Sequence, residues 1–298
     1  MELPMSQPTV TAIAPWAGGK RTLAARIVEA LGPHRVYWGL CCGSMAVELA
    51  KPPAKMETVV DLHGDVLNLA NVIRDVRLGS TLYRWLRRTL MHEAIFAESD
   101  AWLREEPGCP TDLSPTAMVE RAYHYFIVSW LGRNGSAGMS MGSKGTYCVR
   151  YTANGGHAGT RWANAIQSIP TWRRRLERLT ILRRDIFEIM PRIEDATGTA
   201  IYVDPPYLAK GFKYLHDFDG DAHQRMAVAL ARFRNARVVV SYYDDPQLAD
   251  LYPPTTWSRQ YIEVSKAMAH QGQRGKNDTR ATEVLLINEP AEQKGLFA

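Results

Sequence analysis

A chain of 298 residues, 46% hydrophobic and 22% charged, can bury a large core as one domain or two. No run reaches the roughly 20 apolar residues of a membrane span, and Met1 to Thr11 lacks a basic region followed by an apolar block, so a cytosolic protein without membrane association is expected. Four cysteines with no Cys-x-x-Cys pair, and eight scattered histidines, nearly all of them read as buried thiols and surface imidazoles, argue against a zinc framework; no metal is expected, and the net charge of +5 leaves room for an anionic partner.

In chain order, Lys20 to Leu31 repeats apolar residues at helical spacing (Leu23, Ile27, Val28, Leu31), and Gly32-Pro33 ends that helix. Val36 to Leu40 reads as a strand, Gly43-Ser44 opens a helix through Leu49, Thr58 to Leu62 is a strand carrying Asp61 at its end, and Asp65 to Val76 is a helix. This β-α-β-α order belongs to a mostly parallel sheet. From Leu78 to Arg133 the pattern is helical, with Trp85, Leu90, Phe96, Trp102, Tyr125, Phe126 and Trp130 assigned to apolar faces. Eight glycines then fall within 28 residues, from Gly132 to Gly159, a loop long enough to be functional or unstructured. A basic helix is expected from Pro170 to Leu179. Strands are expected at 180–183, 199–203, 236–242, 256–263 and 282–288, with helices at 185–194, 221–233 and 245–251. The domains are therefore read as one α/β domain, 1–76 and 180–298, interrupted by a helical and basic insert, 77–179.

Charge is concentrated in that insert. Arg133 to Arg184 holds ten Arg or Lys against one acid, Glu177, a net +9 that leaves −4 elsewhere. A charge run is usually a solvated face, but one this lopsided, interleaved with Tyr147, Tyr151, Trp162 and Trp172, favours a nucleic-acid partner.

The most informative residues are Asp204-Pro205-Pro206-Tyr207. They follow Thr199-Ala200-Ile201-Tyr202-Val203, an apolar run without alternation that reads as a buried strand. Open α/β sheets bind ligands at the carboxyl ends of their strands. Two prolines pre-set the backbone and remove two N–H donors. The Asp204 carboxylate and Pro205 carbonyl then offer acceptors only, and Tyr207 offers a flat face. That combination suits a planar group with an amino substituent, such as adenine, although Asp-Pro and Pro-Pro also mark ordinary turns.

Two further segments point the same way. Pro15-Trp16-Ala17-Gly18-Gly19-Lys20 precedes the first helix, where glycines let backbone amides approach a ligand and Lys20 adds positive charge. It is not a nucleotide-phosphate loop: Ala14 stands where the first glycine belongs and Arg21 replaces Ser or Thr, so a carboxylate-bearing ligand fits better. Leu40-Cys41-Cys42-Gly43-Ser44 is a strand-to-helix turn of small residues that could let a ligand lie across it. Asp61, about 20 residues on, stands where an acid reaches ribose hydroxyls in nucleoside-binding folds, or is a plain helix cap.

Taken in order, these segments resemble the Dam-like (D12 class) DNA adenine-N6 methyltransferases. The resemblance implies an S-adenosylmethionine-dependent methyltransferase (Rossmann-like) fold with a target-recognition insert, acting on double-stranded DNA in a bacterial or phage-infected cell, as a monomer or weak dimer. It implies that Trp16, Ala17, Gly18, Gly19, Lys20, Leu40, Cys41 and Gly43 hold the methionine part of S-adenosyl-L-methionine, with Asp61 and Leu62 at its ribose and Asp185 and Ile186 at its adenine. Asp204 (also beside the cofactor), Pro205, Pro206 and Tyr207 form the catalytic corner. Arg133, Asn134, Lys144, Arg150 and Arg161 in the insert, with Lys266, Arg274 and Lys276 in a C-terminal loop, are the implied DNA contacts. The sequence departs from the family at Trp38 to Ser44, where Glu-Pro-Phe and glycines are usual. Cytosine-C5 methylation would need a nucleophilic thiol, usually in a Pro-Cys pair, and the chain has none. Cytosine N4, RNA adenine, or a binding module that has lost catalysis stay open as alternatives.

Overall fold

The computed structural model describes residues 10–132, 146–149, 157–208, 216, 218, 220–265 and 280–288. Its strands are β1 (Val36–Leu40), β2 (Met56–Asp61), β3 (Thr180–Arg183), β4 (Thr199–Val203), β5 (Arg237–Tyr243), β6 (Trp257–Ser265) and β7 (Arg280–Asn288), in the sheet order β3-β2-β1-β4-β5-β7-β6. The run β2-β1-β4-β5 is parallel, and β7 lies antiparallel between β5 and β6. The α/β expectation holds, with an antiparallel pair completing one edge.

The fold divides into two compact units: residues 1–22, 43–53 and 63–183, and residues 23–42, 54–62 and 184–298. The second unit holds the centre of the sheet. All five residues of β4 are buried, as a strand between two neighbours requires. Helix α1 (Ala24–Leu31) turns its buried residues, Ile27, Ala30 and Leu31 among them, toward β4 and β5. The short helices α8 (Ile186–Ile189) and α10 (Leu248–Leu251), with the longer α9 (Gly220–Leu230), complete this unit.

The first unit is mainly helical: α2 (Ala46–Ala50), α3 (Gly64–Arg74), α4 (Val76–Arg88), α5 (Glu93–Glu105), α6 (Pro115–Leu131) and α7 (Ala158–Leu176). Asp75 explains the break between α3 and α4. Its backbone is extended and its side chain accepts the N–H groups of Arg77 and Leu78, so it ends one helix and caps the next. Residues 10–13 are tied to α6 and α7 by three hydrogen bonds: the Trp172 indole to the Val10 carbonyl (2.7 Å), the Trp130 indole to the Ile13 carbonyl (3.2 Å), and the Val10 N–H to Ser168 Oγ (3.2 Å).

Several local expectations change. The basic helix starts at Ala158, with Pro170 inside it, because Trp162, Ile166, Ile169 and Trp172 bury one continuous face across the proline. Packing there outweighs the missing backbone hydrogen bond. Trp85 and Leu90 are 39% and 73% exposed rather than core, since Gly79, Leu82 and Leu86 form the inward stripe of α4 and Leu90 lies beyond its end. His63 and His223 are buried, not surface imidazoles. His63 Nδ1 accepts the Val66 N–H as the cap of α3, and His223 Nδ1 lies 2.8 Å from the Tyr242 hydroxyl.

Candidate active site

In the second unit, register alone assembles an acidic edge. Leu40 is level with Val60 of β2 and Val203 of β4, so three parallel strands end together. The Asp204 N–H donates to the Leu40 carbonyl (3.2 Å) and the Cys42 N–H to the Val60 carbonyl (3.2 Å), which clamps the turns after β4 and β1. Asp61, Cys41 and Asp204 therefore leave the sheet at one level. Asp185 caps α8 by accepting the Phe187 N–H at 2.9 Å, and Ile186 behind it is buried. Burial pushes the Cys41 thiol well above its ordinary value, and the carboxylates of Asp61, Asp204 and Asp185 push it further in the same direction. Three of the acids named from sequence thus act on one point.

The corner after β4 is held from behind. Ser241 Oγ, on β5, donates to Asp204 Oδ1 (2.9 Å), and the Tyr202 hydroxyl lies 3.0 Å from the same Ser241 oxygen. The Tyr207 hydroxyl donates to Glu283 Oε2, on β7, at 2.7 Å. The ring of Tyr207 meets Tyr243 edge-on, with centroids 4.7 Å apart, and Tyr242 at 5.7 Å. Only 6% of Tyr207 is exposed, so the open flat face expected from sequence is covered by this aromatic packing. Burial raises the phenol far above its usual range, and the charges of Asp204 and Glu283 add to the effect, so Tyr207 is a neutral phenol.

In the first unit, the Trp16-to-Lys20 segment forms a tight turn closed by Gly19 N–H to the Trp16 carbonyl (3.1 Å). Gly18 is left-handed (φ 71°), and the buried Lys20 ammonium bonds the Gly18 carbonyl. The Trp16 indole stands edge-on to His63, with centroids 5.2 Å apart. It also fills the space beside Gly43: a Cβ there would lie 3.0 Å from indole Nε1. A small residue at 43 leaves room for the Trp16 indole. Gly43 is left-handed as well (φ 48°), and so are Cys41 (57°) and Met45 (58°), an unusual strain for non-glycine residues.

Of the implied DNA contacts, Arg161 alone lies within the described residues. Its guanidinium donates to the Trp130 carbonyl (3.1 Å) and lies over the Trp130 ring. Arg133, Asn134, Lys144, Arg150, Lys266, Arg274 and Lys276 lie outside them. Sequence reasoning missed Ser241, Glu283 and His63. Each is an isolated polar residue whose partner is remote in the chain or lies in a cap, and no motif marks it. Among the described residues there is no cluster of metal-ligating side chains, and no helix is long and apolar enough to cross a membrane.

A mostly parallel sheet with acids at the ends of β2 and β4, and a Pro-Pro corner beside them, is an α/β architecture of the kind that places its ligand edge at the carboxyl ends of the strands. Three carboxylates at that edge, those of Asp61, Asp185 and Asp204, would suit a cationic sulfonium cofactor. The chain belongs to the D12 class N6 adenine-specific DNA methyltransferase family, which it matches over residues 16–268. It is accordingly a methyltransferase, with S-adenosylmethionine as methyl donor. No curated protein matches it. Among solved structures it is similar to the methyltransferase domain of bacterial CtHen1 (9% identity, 91% of this chain and 97% of that one, TM-score 0.36). It is also similar to precorrin 8W decarboxylase of Methanobacterium thermoautotrophicum (10%, 90% and 89%, TM-score 0.34). A third is a cyclopropane-fatty-acyl-phospholipid synthase-like protein of Lactobacillus casei (10%, 91% and 90%, TM-score 0.34). The family match, and not these distant likenesses, carries the functional argument.

Proposed function

We propose that the protein is a site-specific DNA adenine-N6 methyltransferase that acts on an adenine flipped out of duplex DNA. The observation that carries this reading is the Asp204-Pro205-Pro206-Tyr207 corner, clamped to Leu40 and Ser241 at the carboxyl end of β4. Adenine N6 is a poor nucleophile because its lone pair is delocalised into the ring. The Asp204 carboxylate and Pro205 carbonyl accept its two hydrogens, which favours a pyramidal nitrogen and frees the lone pair. Bound S-adenosylmethionine supplies an electrophilic methyl group on a sulfonium. Asp204 would hold the freed lone pair toward that methyl group and would accept one N6 proton along its hydrogen bond as the methyl is transferred. Positioning and fixed electrostatics supply the acceleration, with no covalent enzyme intermediate. Asp61 and Asp185 serve the cofactor's ribose and adenine, and the Trp16-to-Lys20 turn its methionine end. A base within a duplex is out of reach until it is flipped, and the cationic insert holds the phosphates.

The test is transfer of labelled methyl from S-adenosylmethionine to unmethylated genomic DNA, followed by nucleoside digestion. N6-methyladenine at one short sequence is expected, and Asp204→Ala should abolish it while duplex binding persists. N4-methylcytosine as the product, or full activity in Asp204→Ala, would overturn the assignment.

A further inference from the structure

Helix α4 carries Arg77, Arg84, Arg87 and Arg88, all exposed, and no acid. At about 3.6 residues per turn, Arg77, Arg84 and Arg88 fall on one line, opposite the buried Gly79, Leu82 and Leu86. The line is about 16 Å long. Helix stability does not call for it. Arg77 stands in the first turn, where the helix dipole disfavours a cation, and Arg84 and Arg88 repel each other at i,i+4. The dipole accounts for Arg87 and Arg88 in the last turn, but for neither Arg77 nor Arg84. Other helices of this protein pair such arginines locally: Arg26 with Glu29 on α1 (3.4 Å), Arg104 with Asp100 on α5 (2.9 Å) and Arg173 with Glu177 on α7 (2.8 Å). Among the described residues no ion pair engages an arginine of α4. Arg84 Nη2 donates instead to Thr81 Oγ1, one turn back (3.2 Å), and the partly exposed Trp85 flanks the row, held edge-on by Tyr123 at 5.7 Å.

We propose that this arginine row is a sequence-independent phosphate-binding face that docks duplex DNA. It adds to the contacts implied by the family resemblance, none of which lies on α4. The inference rests on the DNA methyltransferase reading above. Charge complementarity names the partner: one strand of a duplex sets a phosphate about every 3.4 Å of axis, so the row matches about five of them. A guanidinium offers a fork of donors that fits two oxygens of a phosphate. Leu82 and Leu86 pack inward and α4 lies against α6, so the row is presented on a rigid support. The helix has no Asn or Gln to pair with adenine edges, and what it offers is charge. Such contacts hold substrate and transition state alike, so they act on the KM for DNA and not on kcat.

The experiment uses the full chain with Arg77, Arg84 and Arg88 all changed to Ala. Alanine is the best helix former, so α4 is retained. Binding is read by fluorescence anisotropy at fixed salt on two duplexes of equal length, one holding the mapped methylation target and one without it. Affinity should fall on both by the same factor, about tenfold or more. The KM for DNA should rise while kcat at saturating DNA holds. A control with Arg26, Arg192 and Arg234 changed to Ala loses the same formal charge from other exposed positions and should bind much as the parent does. Parent-like affinity in the α4 variant, an equal loss in the control, or a loss confined to the target duplex would overturn the proposal. If the parent binds no duplex at all, the DNA reading and this inference fail together. If the parent methylates duplex DNA while the α4 variant binds it as tightly, the inference fails alone.

Discussion

Ser241 Oγ donates to Asp204 Oδ1 at 2.9 Å from the strand next to β4, with Tyr202 behind it at 3.0 Å. Ser241 is fully buried, and the contact fixes which way the carboxylate faces as it leaves the sheet. Ser241→Ala should lower the methyl-transfer rate about tenfold, the scale of one hydrogen bond to a charged group, about 1.5 kcal/mol. Cofactor titration should be unchanged. A Ser241→Ala enzyme at the parent rate would show that the prolines alone orient Asp204.

Gly43 should tolerate no side chain. Its φ of 48° strains any L-residue, and a Cβ would press on the Trp16 indole at 3.0 Å. Gly43→Ala should displace Trp16, weaken S-adenosylmethionine binding about tenfold, and alter tryptophan fluorescence in the free protein. Isothermal titration checks the effect on binding, and unchanged affinity would detach this turn from the cofactor.

A buried ion pair joins α3 to α6 in the first unit. Arg121 Nε bonds Asp65 Oδ1 at 2.6 Å, and Arg121 is 1% exposed. Burial works against the Arg121 charge, yet the hydrogen bond and charge of Asp65 outweigh it and hold its affinity for a proton above normal. Asp65→Ala leaves that guanidinium buried without its counter-charge and should cost about 3–5 kcal/mol in denaturant unfolding. Asp65→Leu with Arg121→Met should recover most of that stability.

Asp195 gives a pH signature. Partial burial works against its charge, but hydrogen bonds from the backbones of Ala236, Arg234 and Asn235 prevail and hold its carboxyl below the ordinary carboxylate range. A carboxylate depressed on folding stabilises fully above its unfolded value, and that contribution disappears as pH falls through the folded one. Asp195→Ala should therefore be less stable than the parent at pH 7, by about 1 kcal/mol once solvent screening is allowed for. The gap should narrow as the pH falls below about 4, where unfolded aspartates begin to protonate. A gap that persists in strong acid would assign the effect to packing.

Helix α4 offers an exposed basic face whose part in duplex binding can be tested. Arg77, Arg84, Arg87 and Arg88 are exposed on the side opposite Gly79, Leu82 and Leu86, and the helix contains no acid. Replacing Arg84, Arg87 and Arg88 with Ala should weaken duplex binding and flatten its dependence on log salt by about 1 for each phosphate no longer neutralised. An unchanged slope would make α4 a solvated face.

The chain's own residues determined the alternation of strands and helices and the placing of Asp204 to Tyr207 after a buried strand, because both are local: β4 is a continuous apolar run, and proline fixes its own backbone. The family resemblance was legible for the same reason, since its motifs are short and contiguous. Only the tertiary structure decided what holds the corner. Ser241 and Glu283 lie 37 and 76 residues from their partners, and no spacing rule links them. The interior position of β7 supplies Glu283, and strand order is set by pairing across the sheet. Likewise the Trp16 indole packs against the glycine at 43, and the face buried by Trp162, Ile166, Ile169 and Trp172 carries α7 through Pro170. Local propensity specifies elements; long-range packing and hydrogen bonding select how their ends are locked, and the chemistry proposed here depends on those ends.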